Sequence, residues 1–173
     1  LPRALAKRGV AAEIVGCARS PATRAKVLEL GLAARCEEDP ALAVAGADLG
    51  VLATPVGAYE GVARAMERSL APGAIVTDVG SVKQATIRDV GPFLPQGVHF
   101  VPGHPIAGTE HSGPEAGFAE LFEDRWCILT PPPGTPEAAT EKVAALWRAV
   151  GSRVEIMAAG HHDKVLAITS HLP

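Results

Sequence analysis

A chain of 173 residues, 47% of them hydrophobic, holds enough apolar material for one packed domain and the beginning of another. Only 4% are aromatic, so Ala, Val, Leu and Ile must fill the core. A net charge of −3 and a pI near 6.1 offer no basic surface for nucleic acid or an anionic membrane. Cys17, Cys36 and Cys127 are odd in number, far apart and never in C-x-x-C spacing. That usage points to reduced thiols in a cytoplasmic protein, not to a disulfide framework or a zinc ribbon. No apolar run reaches the ~18 residues of a membrane span. The chain opens without Met and closes in Ser170-His171-Leu172-Pro173, mid-pattern at both ends, as expected for part of a longer protein.

Taken in order, residues 1–8 read as the tail of a helix closed by Gly9. A short strand over 13–16 is followed by Ser20-Pro21, an N-cap with Pro at the first helical position, and a helix over 22–30 ending at Gly31. Asp39-Pro40 repeats the cap before a short helix that stops at Gly46. The apolar run 48–53 is a strand broken at Thr54-Pro55, and a helix follows to Leu70. Pro72-Gly73 turns into a strand over 74–77, and Asp78-Val79-Gly80-Ser81 leads to another helix. Residues 98–101 form a strand feeding Gly103-His104-Pro105. Residues 115–122 read as helical and 126–130 as extended. Thr135-Pro136 caps a helix with Val143, Leu146, Trp147 and Val150 on one face, Gly151 ends it, and a last strand covers 154–157. A new helix starts near His161. Strands alternating with helices, and strands that are continuously apolar, predict an α/β fold: a doubly wound, mostly parallel sheet with helices on both faces. The G-x-G-x-x-G turn of dinucleotide-binding folds is absent from these residues.

In such a sheet the loops at the carboxyl ends of the strands share one rim. Three segments therefore converge there: Thr54-Pro55-Val56, Asp78 through Lys83, and the His104 loop. Pro105 biases His104 toward extended geometry, making it the last extended residue of its strand, and Gly103 and Gly108 leave room beside it. A His so held is placed for proton transfer; the plainer alternative is a His that only hydrogen-bonds its own turn. Ser81-Val82-Lys83-Gln84 is also a capping-box pattern, so Ser81 has a structural role open to it that is compatible with a place on the rim. Lys83 reads as a solvated helix residue. Trp126 and Trp147 read as core. His161-His162-Asp163 are adjacent at a helix start and point in different directions, there is no H-E-x-x-H and the cysteines are dispersed, so no metal site is expected. Lys164, Ile168 and His171 share a face of the last helix.

The segments Ala47-Asp48 through Val56, Thr77 through Lys83, Gly103-His104-Pro105-Ile106-Ala107-Gly108-Thr109-Glu110 with Ser112-Gly113, Ile128 through Pro131, and His162-Asp163 through Ser170-His171-Leu172-Pro173 resemble, in order, the motifs of the prephenate dehydrogenase family, which includes arogenate and cyclohexadienyl dehydrogenases. The resemblance implies a Rossmann-type nucleotide-binding domain over residues 1–157, its first strand and glycine-rich turn lying upstream. Residues 158–173 would then begin an all-helical dimerisation domain, making the protein a homodimer. It implies oxidative decarboxylation of prephenate or arogenate with hydride transfer to NAD or NADP, in tyrosine biosynthesis. His104 matches the catalytic His that accepts the hydroxyl proton, and Ser81 the active-site Ser. Thr109, Glu110, Gly108 and His171 match the substrate pocket, whose carboxylate-binding Arg would come from the helical part. Thr54, Pro55, Val56, Asp78, Gly80 and Ser81 would line the cofactor site. Ala18 stands where the family often has Asp, and with Arg19, Ser20 and Arg24 nearby this tilts the expectation toward NADP. The alternatives are a non-catalytic cofactor-binding homologue and a different Rossmann oxidoreductase.

Overall fold

The computed structural model describes residues 1–108 and 113–171, with side chains through residue 168. Its elements run α1 (Pro2–Arg8), β1 (Val15–Cys17), α2 (Pro21–Glu29), β2 (Arg35–Glu37), α3 (Pro40–Val44), β3 (Leu49–Leu52), α4 (Tyr59–Met66), β4 (Ile75–Asp78), α5 (Gln84–Val90), β5 (His99–Phe100), β6 (Gly103–Pro105), β7 (Trp126–Leu129), α6 (Glu137–Ala149), β8 (Arg153–Ile156) and α7 (Ala159–His171). β1 pairs with β2 in parallel, and β3-β4-β5 form a parallel sheet. β6-β7-β8 form a mixed sheet in which β6 runs antiparallel to β7 and β7 parallel to β8. The fold is α/β and mostly parallel, as the alternation of elements predicts.

Successive strand residues face opposite sides, and here each side meets helices. Ile75 of β4 joins Cys127, Leu129, Val143, Ala144 and Trp147 in one core, where α1 and α6 pack. Its neighbour Val76 joins Val44, Leu52, Tyr59, Ala63, Met66 and Val90 in a second, where α3, α4 and α5 pack. Phe100 and Val101 divide between the same two cores. Trp147 is fully buried and meets Phe122 edge to face at 5.2 Å between ring centroids, a favourable aromatic geometry.

The helix starts follow the local chemistry. Ser20 accepts from the Thr23 N–H at 3.4 Å and Asp39 from the Ala41 N–H at 2.9 Å, each ahead of a Pro. Gly9 and Gly31 take the left-handed φ of 61° that closes a helix. Four expectations are corrected. β2 was not anticipated, because Arg35-Cys36-Glu37 has no apolar run; parallel pairing with β1 makes it a strand. Residues 115–122 are not an α-helix: only a 3-10 turn at Pro114–Ala116 forms, between Gly113 at φ 95° and Gly117. Thr135 does not cap α6, whose N-cap residue is Pro136. Trp126 is 49% exposed, not core, because alternation sends Cys127 and Leu129 to the buried face while Trp126 opens the strand on the other.

Candidate active site

β4 ends in a carboxylate with nowhere to go but inward. Asp78 is fully buried; its Oδ2 accepts from the Gly80 N–H at 2.8 Å and its Oδ1 from the Gly103 N–H at 3.1 Å. Lys83, three residues beyond Gly80, is fully buried as well. Its ammonium donates to Asp78 Oδ2 at 2.6 Å and to the Gly103 carbonyl at 2.7 Å. The reading of Lys83 as a solvated helix residue is therefore overturned: an unsatisfied buried carboxylate and carbonyl at one spot reward a cation that reaches both. Burial raises the Asp78 carboxyl above its ordinary range and lowers the Lys83 ammonium, while their mutual attraction opposes both shifts. This hub binds the β4–α5 loop to β6. Gly80 and Gly103 are closely approached here. An added Cβ would lie 2.9 Å from Asp78 Oδ2 and from Val56 at the first, and 3.1 Å from the Asp78 carbonyl at the second. The Asp78 carboxylate is thereby occupied inside the protein by Gly80, Gly103 and Lys83.

His104 does not terminate β5. It sits in the middle of β6, opposite Ile128 of β7, with the Ile106 N–H bonded to the Trp126 carbonyl at 2.7 Å beyond it. Pro105 keeps the backbone extended, as expected, but the strand is antiparallel and separate. Cys127 and Leu129 on either side of Ile128 enter the α6 core, so His104 projects from the opposite face, toward the start of α7. There its Nδ1 lies 2.9 Å from Nε2 of His162, which is fully buried, and His162 Nδ1 lies 2.8 Å from Asp163 Oδ1. Desolvation first, then His162 and Lys83, push the His104 pKa down to about 4; Asp163 opposes this. The ring is neutral at physiological pH and has a lone pair with which to take a proton.

Ser81 is exposed on the loop that Lys83 ties to the strand of His104. It caps nothing: α5 begins at Gln84, and the N–H groups of Lys83 and Gln84 are taken by Asp163 Oδ1 and Oδ2 at 2.8 and 2.9 Å. Val56 packs against Gly80, and Thr54 and Pro55 lie exposed beyond the end of β3. Gly108 is exposed with open space around it, so nothing described there requires glycine. Ala18 follows β1, its N–H on the Glu37 carbonyl at 2.9 Å, and Arg19 is exposed beside it. Arg24 donates to the carbonyls of Ala18 and Arg19, both at 2.8 Å, and pairs with Glu38 at 3.0 Å; Ser20 serves as the N-cap. Thr109, Glu110 and the side chain of His171 lie outside the described residues. His162 and Asp163 went unrecognised as site residues in the sequence. Their signal was weak: an aspartate near the start of a helix is ordinary, and only the fold brings it to another helix.

The nucleotide-binding domain of prephenate dehydrogenase matches residues 1–156. A cyclohexadienyl dehydrogenase of Zymomonas mobilis subsp. mobilis is 47% identical over 150 residues, 87% of this chain and 50% of that protein. The chain thus spans about half the length of that curated relative. Prephenate dehydrogenase from Aquifex aeolicus superposes with a TM-score of 0.91 at 33% identity over 98% of this chain and 61% of that one, and it has also been solved with hydroxyphenyl propionate and NAD+. Arogenate dehydrogenase from Synechocystis superposes with a TM-score of 0.90 at 28% identity, over 98% of this chain and 59% of that one. With residues 1–156 matched and the same architecture in solved relatives, this chain belongs to the prephenate dehydrogenase family, as part of its nucleotide-binding domain.

Proposed function

We propose that the protein carrying this chain oxidatively decarboxylates prephenate or arogenate, giving 4-hydroxyphenylpyruvate or tyrosine, with a nicotinamide dinucleotide as hydride acceptor. The observation that carries this reading is His104: neutral, half-buried, anchored through one ring nitrogen, and set beside the exposed loop of Ser81. His104 accepts the proton of the C4 hydroxyl, and Ser81 hydrogen-bonds that hydroxyl or the imidazole. The nicotinamide, when bound, takes the hydride from C4, and loss of carbon dioxide aromatises the ring. Gly108, Thr109, Glu110 and His171 line the substrate pocket in this reading, and the helical domain that α7 begins supplies the carboxylate-binding Arg and the homodimer contact.

The residues of the rim suit a dinucleotide. Residues 53–55, Ser81 and Arg19 are exposed at the carboxyl ends of three parallel strands, where open α/β sheets take such ligands. Thr54, Pro55 and Val56 would hold the nicotinamide half, and Ala18, Arg19 and Ser20 the adenosine half. We favour NADP: Ala18 offers no carboxylate to repel a 2′-phosphate, and Arg19 beside it can bind one. Arg24 is committed to the loop and to Glu38, which leaves Arg19 as the phosphate ligand to test.

The experiment is an assay of the full-length protein with prephenate and arogenate, each with NAD and NADP, and of His104→Asn. A kcat loss of roughly 100-fold or more, with little change in binding, is expected for His104→Asn. Near-normal turnover in that variant would overturn the role of His104, and a wild-type protein that binds cofactor but turns over neither substrate would make the non-catalytic reading correct. Arg19→Ala should lower kcat/KM for NADP alone; a tenfold preference for NAD with unaltered NADP use would refute the phosphate role.

A further inference from the structure

Behind His104 a buried His162 and a half-buried Asp163 form a hydrogen-bonded chain, and a His162 ring bearing one proton leaves that chain a single consistent arrangement. Asp163 Oδ1 lies 2.8 Å from His162 Nδ1, and a carboxylate can only accept, so the proton of His162 is on Nδ1. With a single proton on that ring, Nε2 of His162 carries a lone pair. It lies 2.9 Å from His104 Nδ1, which must therefore donate. The His104 ring is left with one lone pair, on Nε2. The opposite arrangement would set the His162 Nδ1 lone pair against the carboxylate. Asp163 is itself fixed, because its two oxygens take the N–H groups of Lys83 and Gln84 at the start of α5.

We propose that His162 and Asp163 are positioning residues for the reaction: they hold His104 as its Nδ1–H tautomer, so that Nε2 is the atom that accepts the substrate proton. The inference rests on His104 being the proton acceptor. It adds that the acceptor's tautomer is set by the N-terminal part of α7. When Nε2 takes the hydroxyl proton, His104 becomes a cation whose Nδ1–H already donates to His162, and the Asp163 carboxylate behind it is the countercharge. The groups facing His104 are then Lys83 at the N-cap of α5 and His162 of α7, which disfavour that cation, and Asp163 of α7, which favours it. Cys127 of β7, beside the strand of His104, has its thiol pushed up to about 12 by burial and stays uncharged.

Two measurements test this on the full-length protein. Long-range 1H–15N spectra of the wild type without substrate should show His104 and His162 both protonated on Nδ1 and unprotonated on Nε2. A His104 ring protonated on Nε2 would overturn the proposal, whatever the kinetics and whether or not the variants fold. In His162→Asn and His162→Gln the His104 ring should shift toward the Nε2–H form, and kcat should fall about 100-fold with KM within about threefold. The acid limb of kcat/KM should also move to higher pH, since the His162 ring that depresses His104 is gone. A variant with the wild-type tautomer, kcat and pH profile would refute the proposal. Failure of the wild type to turn over either substrate would instead strike the proposed function, because the tautomer is read without substrate.

Discussion

His104 can take a proton at neutral pH only while its ring is uncharged, and its surroundings hold it so. Its pKa of about 4 lies below the ordinary 6.5, chiefly from desolvation. Between those values the unfolded chain binds a proton that the folded protein does not, so stability contributed by this group rises with pH. It is fully present above pH 6.5 and is lost as pH falls toward 4. The thermal midpoint of the wild type is therefore expected to fall more steeply from pH 6.5 to 4.5 than that of His104→Gln; parallel curves would contradict the depressed pKa. Ser81 makes a complementary case. Since the α5 N–H groups are bonded by Asp163, Ser81→Ala should leave the thermal midpoint unchanged. It should cost about 1–3 kcal/mol of transition-state stabilisation, the worth of one hydrogen bond in the site. A lowered midpoint with intact kcat would restore the capping role.

At the scale of elements, the Asp78–Lys83 pair decides how β4, α5 and β6 meet. Lys83→Met would leave the buried Asp78 carboxylate with the Gly80 and Gly103 N–H groups and the nearby Tyr59 hydroxyl but no countercharge. Breaking such a pair from one side typically costs about 3–5 kcal/mol, whereas replacing both partners costs far less. Denaturant unfolding should thus show a large loss for Lys83→Met and partial recovery in Asp78→Asn/Lys83→Met. Equal losses in the two variants would mean the pair holds no buried charge. Helix starts at Ser20-Pro21 and Asp39-Pro40 were legible because a cap and its Pro act within one turn. The start of α5 was not: Ser81 and Gln84 match a local capping box, yet a carboxylate 79 residues away from Gln84 occupies the site. β2 was hidden for a related reason, since its strand character comes from β1 and not from its own side chains.

Over the whole molecule, α7 is an element whose described apolar residues are only partly covered. Its N-terminal part docks through His162 and Asp163, and Leu166 is buried, but Ile168 is 64% exposed. A helix with that face belongs against further helices. The full-length protein is expected to sediment as a dimer, and removing the segment after residue 157 should abolish activity while leaving cofactor binding measurable. A fully active monomer would refute the dimer reading.

The sequence by itself determined the α/β class and most element positions, and marked His104 and Ser81 as candidates, because periodicity, caps and the Gly-His-Pro loop are local signals that survive without neighbours. Tertiary structure alone decided what surrounds them. Whether Lys83 is solvated or sealed against Asp78, whether His104 ends one strand or centres another, and whether His162 and Asp163 are ordinary helix residues or the support of the imidazole all turn on contacts between segments far apart in the chain. A side chain's charge and hydrogen bonds depend on what is packed against it, and no local pattern of residues carries that information.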